Sequence, residues 1–204
     1  MGRNEPGRAM VGRGMRIAVI GTGNVGGALG TRWRAAGQDV VYGTRGQPGT
    51  GPGGAPATGI AEAIAGAEVV LLAIPGRAVA DTLAPLAAAL AGTVVIDATN
   101  SMGGEEFNSR AAIAAVAPAA HYARAFSTLG WENFADPVPG SAGFFAADAE
   151  ARAATEQLIS ATGLEPVYVG SADESGTVDG LLPLWFALVR QAGGNRKLAL
   201  RVVT

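Results

Sequence analysis

The chain has 204 residues, of which 49% are hydrophobic and 16% charged, and this predicts one soluble globular domain with a sizeable core. It contains no cysteine, which excludes disulfides, iron–sulfur clusters and a cysteine nucleophile, and its single histidine, His121, disfavours a histidine-based metal site. The net charge of −2 gives no broad attraction to nucleic acid or to an anionic membrane surface. We therefore expect no metal, nucleic acid or membrane among its partners.

The beginning of the chain differs in composition from the rest. Residues 1–14, MGRNEPGRAMVGRG, are polar, rich in glycine and arginine, and lack the apolar centre of a signal peptide, so we predict a disordered leader there. The apolar run at 181–189 is much shorter than the ~18 residues that a membrane-spanning helix needs. We expect a single domain over residues 15–204, located in the cytoplasm.

Strands alternate with helices along the rest of the chain. MRIAVIG (15–21) is a continuous apolar run typical of a buried parallel strand. Six further strands are predicted, at 39–43, 68–74, 93–99, 121–126, 142–147 and 165–170. Helical patterns follow the first strand as far as Gly37 and recur at 60–67, at 79–90 with a kink before Pro85, at 105–117 and at 149–162. This alternation predicts an α/β protein with a doubly wound, mostly parallel sheet.

Two loops and a last helix complete the predicted elements. GQPGTGPGGAP (46–56) is too rich in glycine and proline for regular structure, and we predict a mobile loop. STLGWENFADPVPG (127–140) is also predicted to be a long loop. A last helix is predicted over about 174–192, and because it is apolar nearly all round we expect it to be buried in a core or against a second subunit.

The turn after the first strand carries a glycine motif. IGTGNVGG places Gly21, Gly23 and Gly26 in a G-x-G-x-x-G pattern, which is weak alone but informative between a buried strand and a patterned helix. Gly21 permits the tight turn, Gly23 leaves room for a pyrophosphate, and Gly26 lets helix and strand pack closely. The motif predicts dinucleotide binding; the alternative is a glycine-rich turn without a ligand.

The end of the second strand indicates which dinucleotide would bind. An acid here would hold the ribose hydroxyls of NAD, but the sequence has Thr44, 23 positions after Gly21, followed by Arg45. A hydroxyl and a guanidinium suit a 2′-phosphate, so we predict NADP(H) as the cofactor. The alternative is that Arg45 is a solvated loop charge.

Several motifs together resemble one family, the NADPH-dependent deazaflavin-coenzyme (F420) reductases, over about residues 15–202. They are MRIAVIGTGNVG, YGTR, LLAIP, VVIDATN, AFSTLGWENFADP and LPLWFALVRQAGG. The same domain type occurs in the cytosolic part of membrane metalloreductases. The resemblance implies a Rossmann-type domain with a small C-terminal helical extension, and a homodimer. Because the last helix is apolar nearly all round, we expect the two copies to associate through it. The resemblance also implies hydride transfer between NADPH and a second ring stacked on the nicotinamide.

The resemblance implies roles for individual residues. The pyrophosphate turn would be formed by Gly21, Thr22, Gly23, Asn24, Val25 and Gly26, and the 2′-phosphate would be held by Thr44 and Arg45. The nicotinamide would lie along Ile74 and Pro75, with Asn100 near it. The acceptor pocket would be bordered by Thr128, Leu129, Gly130, Trp131, Trp185 and the Gly193–Gly194 turn. Trp185 also falls in an apolar helical stripe, and packing is an equally good role for it.

The chain departs from the family pattern in two places. Gly176 and Asp179 occupy the positions of an arginine and a glutamate in deazaflavin reductases, and Gly46 replaces a second basic residue after the Thr-Arg pair. The acceptor is therefore open between a deazaflavin coenzyme and a small imine or unsaturated metabolite. The other class of function is a redox sensor that binds NADP(H) without catalysis. The second-pocket sequences STLGW and PLWFALV favour the enzyme.

The reaction predicted by the resemblance makes few demands on side chains. Hydride transfer between two rings requires close stacking more than acid–base catalysis. A carbonyl or imine acceptor would also need a proton donor, for which the sequence offers Ser127, Thr128, Glu132, Asp179 and Tyr122. Asp97 ends a strand near the predicted cofactor edge, but capping the following turn is an equally good use for it.

Overall fold

A single sheet runs through the protein, whose computed structural model describes residues 14–101 and 106–203. Its strands are β1 (Arg16–Ile20), β2 (Asp39–Thr44), β3 (Gly49–Thr50), β4 (Pro56–Gly59), β5 (Val69–Leu72), β6 (Val94–Asp97), β7 (His121–Arg124), β8 (Ala142–Ala147) and β9 (Glu165–Gly170). Their order across the sheet is β3-β4-β2-β1-β5-β6-β7-β8-β9. Neighbours pair in parallel, except for the antiparallel pairs β3–β4 and β7–β8. The predicted α/β fold with a doubly wound, mostly parallel sheet is confirmed.

Helices cover both faces of this sheet. They are α1 (Asn24–Ala35), α2 (Ile60–Ile64), α3 (Val79–Leu83), α4 (Arg110–Val116), α5 (Glu132–Ala135), α6 (Ala149–Thr162), α7 (Ser175–Asp179) and α8 (Leu181–Gln191). Short 3-10 turns span Pro52–Gly54, Gly76–Ala78, Ala84–Leu90 and Ala172–Glu174. Within the described ranges, none of the helices is long and apolar enough to cross a lipid bilayer.

Alternation along the strands builds a core on each face of the sheet. In β1, Ile17 and Val19 join the cluster beneath α1 and α6, whereas Ala18 and Ile20 join the cluster beneath α2, α3 and α4. β1 is paired with β2 on one side and with β5 on the other, and the chain direction across the sheet reverses there. In open α/β sheets, ligands bind outside the carboxyl ends of the strands at such a switch point.

The glycine- and proline-rich segment 46–56, predicted to be a mobile loop, forms regular structure. β3 pairs with β4, and β4 extends the sheet in parallel beside β2. The chain reverses between them through a 3-10 turn in which Pro52 supplies its fixed φ and Gly53 and Gly54 adopt φ values of 62° and 72°. The loop prediction is wrong because glycine and proline here shape a tight turn between two strands.

The predicted final helix is divided in two at Gly180. α7 ends at Asp179 and α8 begins at Leu181 because Pro183 has no N–H for the Asp179 carbonyl and its ring crowds that group. The buried residues of α8 are Leu182, Trp185 and Val189. Leu184 is 48% exposed, so this chain alone leaves part of the apolar surface of α8 uncovered.

The remaining differences concern the ends of elements. The kink before Pro85 is confirmed, since α3 ends at Leu83 and a 3-10 turn continues the chain. The helix predicted from residue 105 begins at Arg110, and residue 105 itself lies outside the described residues. The predicted loop 127–140 contains the short helix α5. Of the predicted leader, residues 1–13 also lie outside the described residues.

Candidate functional site

The turn between β1 and α1 requires glycine at two positions. Gly21 has a φ of +112°, and a Cβ there would run into the Ala73 carbonyl group. A Cβ at Gly26 would collide with the Gly21 carbonyl oxygen and lie 3.1 Å from a methyl carbon of Val19. These two glycines let the first turn of α1 pack directly against the end of β1.

Gly23 differs from its two neighbours because it faces open space. It is the N-cap residue of α1, and no described atom lies within 4 Å of a Cβ built on it. No described side chain caps this end of the helix, so its first N–H groups remain available to a ligand. Free N–H groups and the positive end of the helix dipole suit a phosphate, and the space in front of Gly23 fits the pyrophosphate of a dinucleotide.

A cleft of about 440 Å³, here called the glycine-turn cleft, opens at the carboxyl ends of β1, β2 and β5. Its walls include six of the residues predicted to bind the nucleotide, namely Gly21, Thr22, Thr44, Arg45, Ile74 and Pro75. Arg77, Ala78 and Thr82 also line the cleft and were not among the residues predicted for the cofactor. The fold thus brings together residues predicted for the pyrophosphate, the 2′-phosphate and the nicotinamide.

The end of β2 presents hydrogen-bond donors to this cleft. The Thr44 Oγ1 accepts a hydrogen bond from the Gly46 N–H at 3.0 Å, which leaves the Thr44 hydroxyl hydrogen free for a ligand. Arg45 is exposed and makes no salt bridge or side-chain hydrogen bond with another described residue. A free guanidinium beside a hydroxyl donor suits a phosphate dianion better than a pair of ribose hydroxyls.

Trp131 lines a second cavity of about 440 Å³, here called the Trp131 cavity, on the α1 side of the glycine turn. Its other walls are Thr22, Gly23, Asn24, Gly27, Ala28, Thr31, Arg32, Pro52 and Ala135. Trp131 is 36% exposed, so part of its ring is accessible. Because Thr22 lines both cavities, this aromatic ring lies close to the predicted phosphate turn.

Three predicted nucleotide residues lie outside the glycine-turn cleft and the Trp131 cavity. Val25 packs against the core, and Gly26 is buried at the contact between α1 and β1. Asn100 is held in place, since its amide donates to the Ser127 carbonyl at 3.0 Å and its Oδ1 accepts from Arg124 at 3.0 Å. Asn100 nevertheless follows β6 at the same edge of the sheet as the cleft.

Most of the residues predicted for the acceptor pocket are enclosed by other groups. Thr128 and Gly130 are buried, and Leu129 packs against the core. Trp185 is 1% exposed and donates its indole N–H to the Leu198 carbonyl at 2.8 Å. Trp185 lines neither the glycine-turn cleft nor the Trp131 cavity, and its role beside an acceptor remains a prediction.

The Gly193–Gly194 turn, also predicted for the acceptor pocket, reverses the chain after α8. Both glycines have positive φ, 65° and 88°. The segment that follows lies over Trp185, with the guanidinium carbon of Arg196 5.1 Å from the centroid of the indole ring. The turn therefore positions a C-terminal segment that covers Trp185.

A buried arginine that the sequence analysis missed organises the carboxyl ends of β6 and β7. The Arg124 side chain is fully buried, and its Nε donates to Asp179 Oδ1 at 2.7 Å. One terminal nitrogen donates to the Asp97 and Thr99 carbonyls at 3.1 and 2.6 Å, and the other donates to Asn100. The available signal was a charged residue inside the apolar strand HYARAF, where burial demands a partner.

The Asp97 carboxylate is the second centre of this network and is also fully buried. It accepts hydrogen bonds from the Thr99 N–H at 2.9 Å, the Thr99 hydroxyl at 2.7 Å, the Ser109 N–H at 2.6 Å and the Tyr122 hydroxyl at 3.0 Å. The turn-capping use considered for Asp97 is thus present. Burial, followed by the nearby Asp97 charge, raises the pKa of Tyr122 far above its ordinary value, so this phenol stays protonated.

The candidate proton donors are mostly engaged within the protein. Asp179 accepts from Arg124 and from the Asn108 amide, the latter at 2.8 Å, and Glu132 pairs with Arg196 at 2.9 Å. The buried Ser127 hydroxyl has no hydrogen-bond partner among the described residues. Asp179 and Gly176 line a third cavity of about 550 Å³, here called the Asp179 cavity, together with Glu106, Asn108, Arg110 and Asp173.

These features define a class of protein. A doubly wound, mostly parallel sheet, a turn whose conformation requires glycine, and a cleft at the switch point define a Rossmann-type domain, an architecture that commonly binds dinucleotides. Residues 16–101 match the family model for "NADP oxidoreductase coenzyme F420-dependent". This part of the chain is thus similar to the F420-dependent NADP oxidoreductases, and the resemblance predicted from the sequence motifs is confirmed.

Similar proteins share the fold over most of the chain. A candidate F420-dependent NADP-reductase from Arthrobacter sp. FB24 superposes with a TM-score of 0.80, with 24% identity over 94% of this chain and 100% of that one. An imine reductase from Pseudomonas sp. superposes with a TM-score of 0.68, with 18% identity over 88% of this chain and 64% of that one. The metalloreductase STEAP3 of Rattus norvegicus is 28% identical over 83% of this chain, which spans 38% of the length of that protein.

Proposed function

We propose that the protein is an NADP(H)-dependent oxidoreductase that transfers a hydride between NADP(H) and a second ring, an 8-hydroxy-5-deazaflavin coenzyme. The observation that carries the proposal is the Thr44–Arg45 pair on the glycine-turn cleft. Within the described residues, neither the Thr44 hydroxyl hydrogen nor the Arg45 guanidinium has a partner. The match of residues 16–101 to the F420-dependent NADP oxidoreductases supports the choice of acceptor.

The residues that would hold NADP(H) have distinct tasks. The free N–H groups at the start of α1 would bind the pyrophosphate, and Thr44 and Arg45 would bind the 2′-phosphate. Ile74 and Pro75 give the cleft an apolar wall for the nicotinamide ring. The bound cofactor supplies the hydride, and the contribution of the protein is to orient the ring and exclude water from it.

Ring-to-ring transfer is supported by the state of the candidate proton donors. Asp179 is engaged by a hydrogen bond from the buried Arg124. The Tyr122 phenol donates to Asp97 and has a raised pKa, so it is not poised to give up its proton at neutral pH. Hydride transfer to a deazaflavin depends on stacking and close approach. The accessible ring of Trp131, beside Gly23 and Asn24, is a suitable surface for stacking.

A small cationic imine is the second candidate acceptor. The Asp179 cavity carries three carboxylates, Glu106, Asp173 and Asp179, and one arginine, Arg110, which pairs with Asp173 at 2.6 Å. A cavity with excess negative charge disfavours the anionic tail of a deazaflavin and favours a protonated imine. The two acceptors are distinguished by the turnover experiment that follows.

We expect the wild type to oxidise NADPH in the presence of a deazaflavin, and Trp131→Ala to lower kcat/KM for the deazaflavin by about tenfold. The reason is the loss of an aromatic stacking partner, which contributes roughly 0.5–1.5 kcal/mol in addition to its buried area. Steady-state kinetics would be paired with NADPH titrations, in which the affinity should be unchanged. Trp131→Phe keeps a ring and serves as the matched control. No turnover at saturating deazaflavin, with turnover of a cyclic imine, would transfer the proposal to the second acceptor.

Arg45→Ala should weaken NADPH binding by about 1–3 kcal/mol, the contribution of a charge-assisted hydrogen bond, and leave NADH binding nearly unchanged. Isothermal titration calorimetry with both nucleotides measures the difference. Arg34→Ala, at an exposed position in the last turn of α1, removes the same charge away from the cleft and should alter neither affinity. Equal losses for NADPH and NADH in Arg45→Ala would contradict the assignment of the 2′-phosphate.

We further propose that two chains associate through α8. Leu184 is 48% exposed, and its neighbour Phe186 is half-buried with its ring edge-on to Trp185 at a centroid distance of 5.1 Å. Burial of a leucine side chain in an interface contributes roughly 1.5–3 kcal/mol. An exposed leucine on an apolar helix is therefore a suitable contact for a second copy.

Replacing Leu184 and Phe186 by serine should shift a dimer towards monomer, raising the dissociation constant by at least about tenfold. Analytical ultracentrifugation over a concentration series measures this directly. The single change Leu184→Ser leaves the Phe186–Trp185 contact intact and should retain much of the effect. A wild type that sediments as a monomer at micromolar concentration would rule out this dimer.

A further inference from the structure

We propose that Arg77 is a second arginine for the 2′-phosphate of NADP(H), and that it acts with Arg45 to set the preference for NADP(H) over NAD(H). The inference rests on the proposed function, because it concerns the same cofactor. It assigns a specificity-determining role to a residue that follows a different strand from the Thr44–Arg45 pair.

Both arginines line the glycine-turn cleft. Arg45 directly follows β2, whereas Arg77 lies in the 3-10 turn Gly76–Ala78 after β5. β1 separates the two strands, so their carboxyl ends are about 10 Å apart, given roughly 4.8 Å between neighbouring strands. Two extended arginine side chains can span this distance and meet on one phosphate.

Arg45 and the turn that carries Arg77 also border a second, neighbouring cavity. This space of about 490 Å³ is lined by Arg45 together with Ala78 and Thr82, and all three residues also line the glycine-turn cleft. The Arg45 side chain therefore borders the same space as the residue next to Arg77. Ile60, Pro85 and Leu86 give the neighbouring cavity apolar walls that suit an adenine ring, and the adjoining ribose would place its 2′-phosphate between the arginines.

The charges of the two arginines are not balanced by the described part of the protein. Arg77 is exposed and, like Arg45, forms no salt bridge or side-chain hydrogen bond with another described residue. The Asp81 carboxylate lines the neighbouring cavity but pairs with neither arginine. Two like charges facing one cleft repel each other, and a phosphate dianion between them removes the repulsion. Arg77 would thereby supply, from the turn after β5, the positive charge that Gly46 does not provide.

The test measures binding rather than turnover. It compares four nucleotides that differ in whether they carry the 2′-phosphate and the pyrophosphate. NADPH and NADH differ in the 2′-phosphate, and adenosine 2′,5′-bisphosphate and 5′-AMP repeat that difference without the pyrophosphate bridge. We expect Arg77→Ala to weaken NADPH and adenosine 2′,5′-bisphosphate by about tenfold, with NADH and 5′-AMP changed less than about twofold. Arg77→Lys should recover part of the loss, Arg77→Glu should increase it, and Arg34→Ala is the matched control at the other end of α1.

The outcomes separate this inference from the proposed function. Equal losses for NADPH and NADH in Arg77→Ala would mean that Arg77 contacts the pyrophosphate or shapes the turn, and unchanged affinities would mean that it does not contact the cofactor. Either result overturns the inference, while selective loss of NADPH in Arg45→Ala would leave the proposed function standing. A wild type that binds NADPH no better than NADH would overturn both.

Discussion

Arg124→Ala should lower the free energy of unfolding by about 3–5 kcal/mol, the usual effect of removing one partner from a buried ion pair. The substitution leaves two carboxylates, Asp97 and Asp179, in the interior without the guanidinium that lies between them, and it leaves the Thr99 carbonyl without its donor at 2.6 Å. Urea denaturation followed by circular dichroism measures the change. Nucleotide affinity should fall as well, because Asn100 loses one of the two bonds that orient it.

An exposed ion pair provides the control for this prediction. Arg110 pairs with Asp173 at 2.6 Å, but the two side chains are 41% and 79% exposed. Arg110→Ala should therefore lower the free energy of unfolding by less than about 1 kcal/mol. A second comparison removes both charges from the buried pair, and Arg124→Met with Asp179→Leu should be more stable than Arg124→Ala, because no unpaired carboxylate remains at position 179. Equal small losses for Arg124→Ala and Arg110→Ala would contradict the structural role of the network.

The strands and the glycine turn could be predicted because each depends on a short stretch of sequence. The buried strands of a parallel sheet are continuous apolar runs, and MRIAVIG and EVVLLAI are recognisable without knowledge of their partners. The glycine motif is local as well: Gly21 is needed for its own φ, and Gly26 for contact with a residue five positions earlier.

The buried network could not be predicted because its partners are far apart along the chain. Arg124 contacts Asp97 at a separation of 27 residues and Asp179 at a separation of 55, and pairing of β6 with β7 is what brings the first two together. The placement of Trp185 has the same cause, since its indole N–H is taken by a carbonyl of the returning C-terminal segment. Apolar periodicity predicts that a tryptophan packs, but not what covers its polar atom.

The division of the final helix and the ordered turn at 46–56 were missed for a different reason. In both, a proline begins or ends an element at a position that the overall composition of the segment does not indicate. Pro183 follows four residues after Asp179 and ends α7 there, although the apolar pattern continues through it. Pro52 begins the turn that lets β3 fold back on β4, where the glycine and proline content alone indicates only irregular chain.

Gly23→Val is expected to weaken NADP(H) binding by about 3 kcal/mol, roughly a hundredfold, while the protein remains folded. The Cβ of a residue at position 23 meets no described atom within 4 Å, so the fold can accept a side chain there. That same side chain would enter the space in front of the free N–H groups of α1 and keep a pyrophosphate from them.

Gly26→Val is the matched comparison and should behave in the opposite way. A Cβ at position 26 collides with the Gly21 carbonyl oxygen and crowds Val19, so α1 must move away from β1 and the protein should lose stability even without a ligand. Thermal denaturation would therefore separate the two variants, and calorimetric titration of the folded Gly23→Val protein would measure the nucleotide affinity. A folded Gly23→Val protein that binds NADPH as tightly as the wild type would mean that the pyrophosphate does not approach this turn. In that case the cleft beside Thr44 and Arg45 would bind a different ligand.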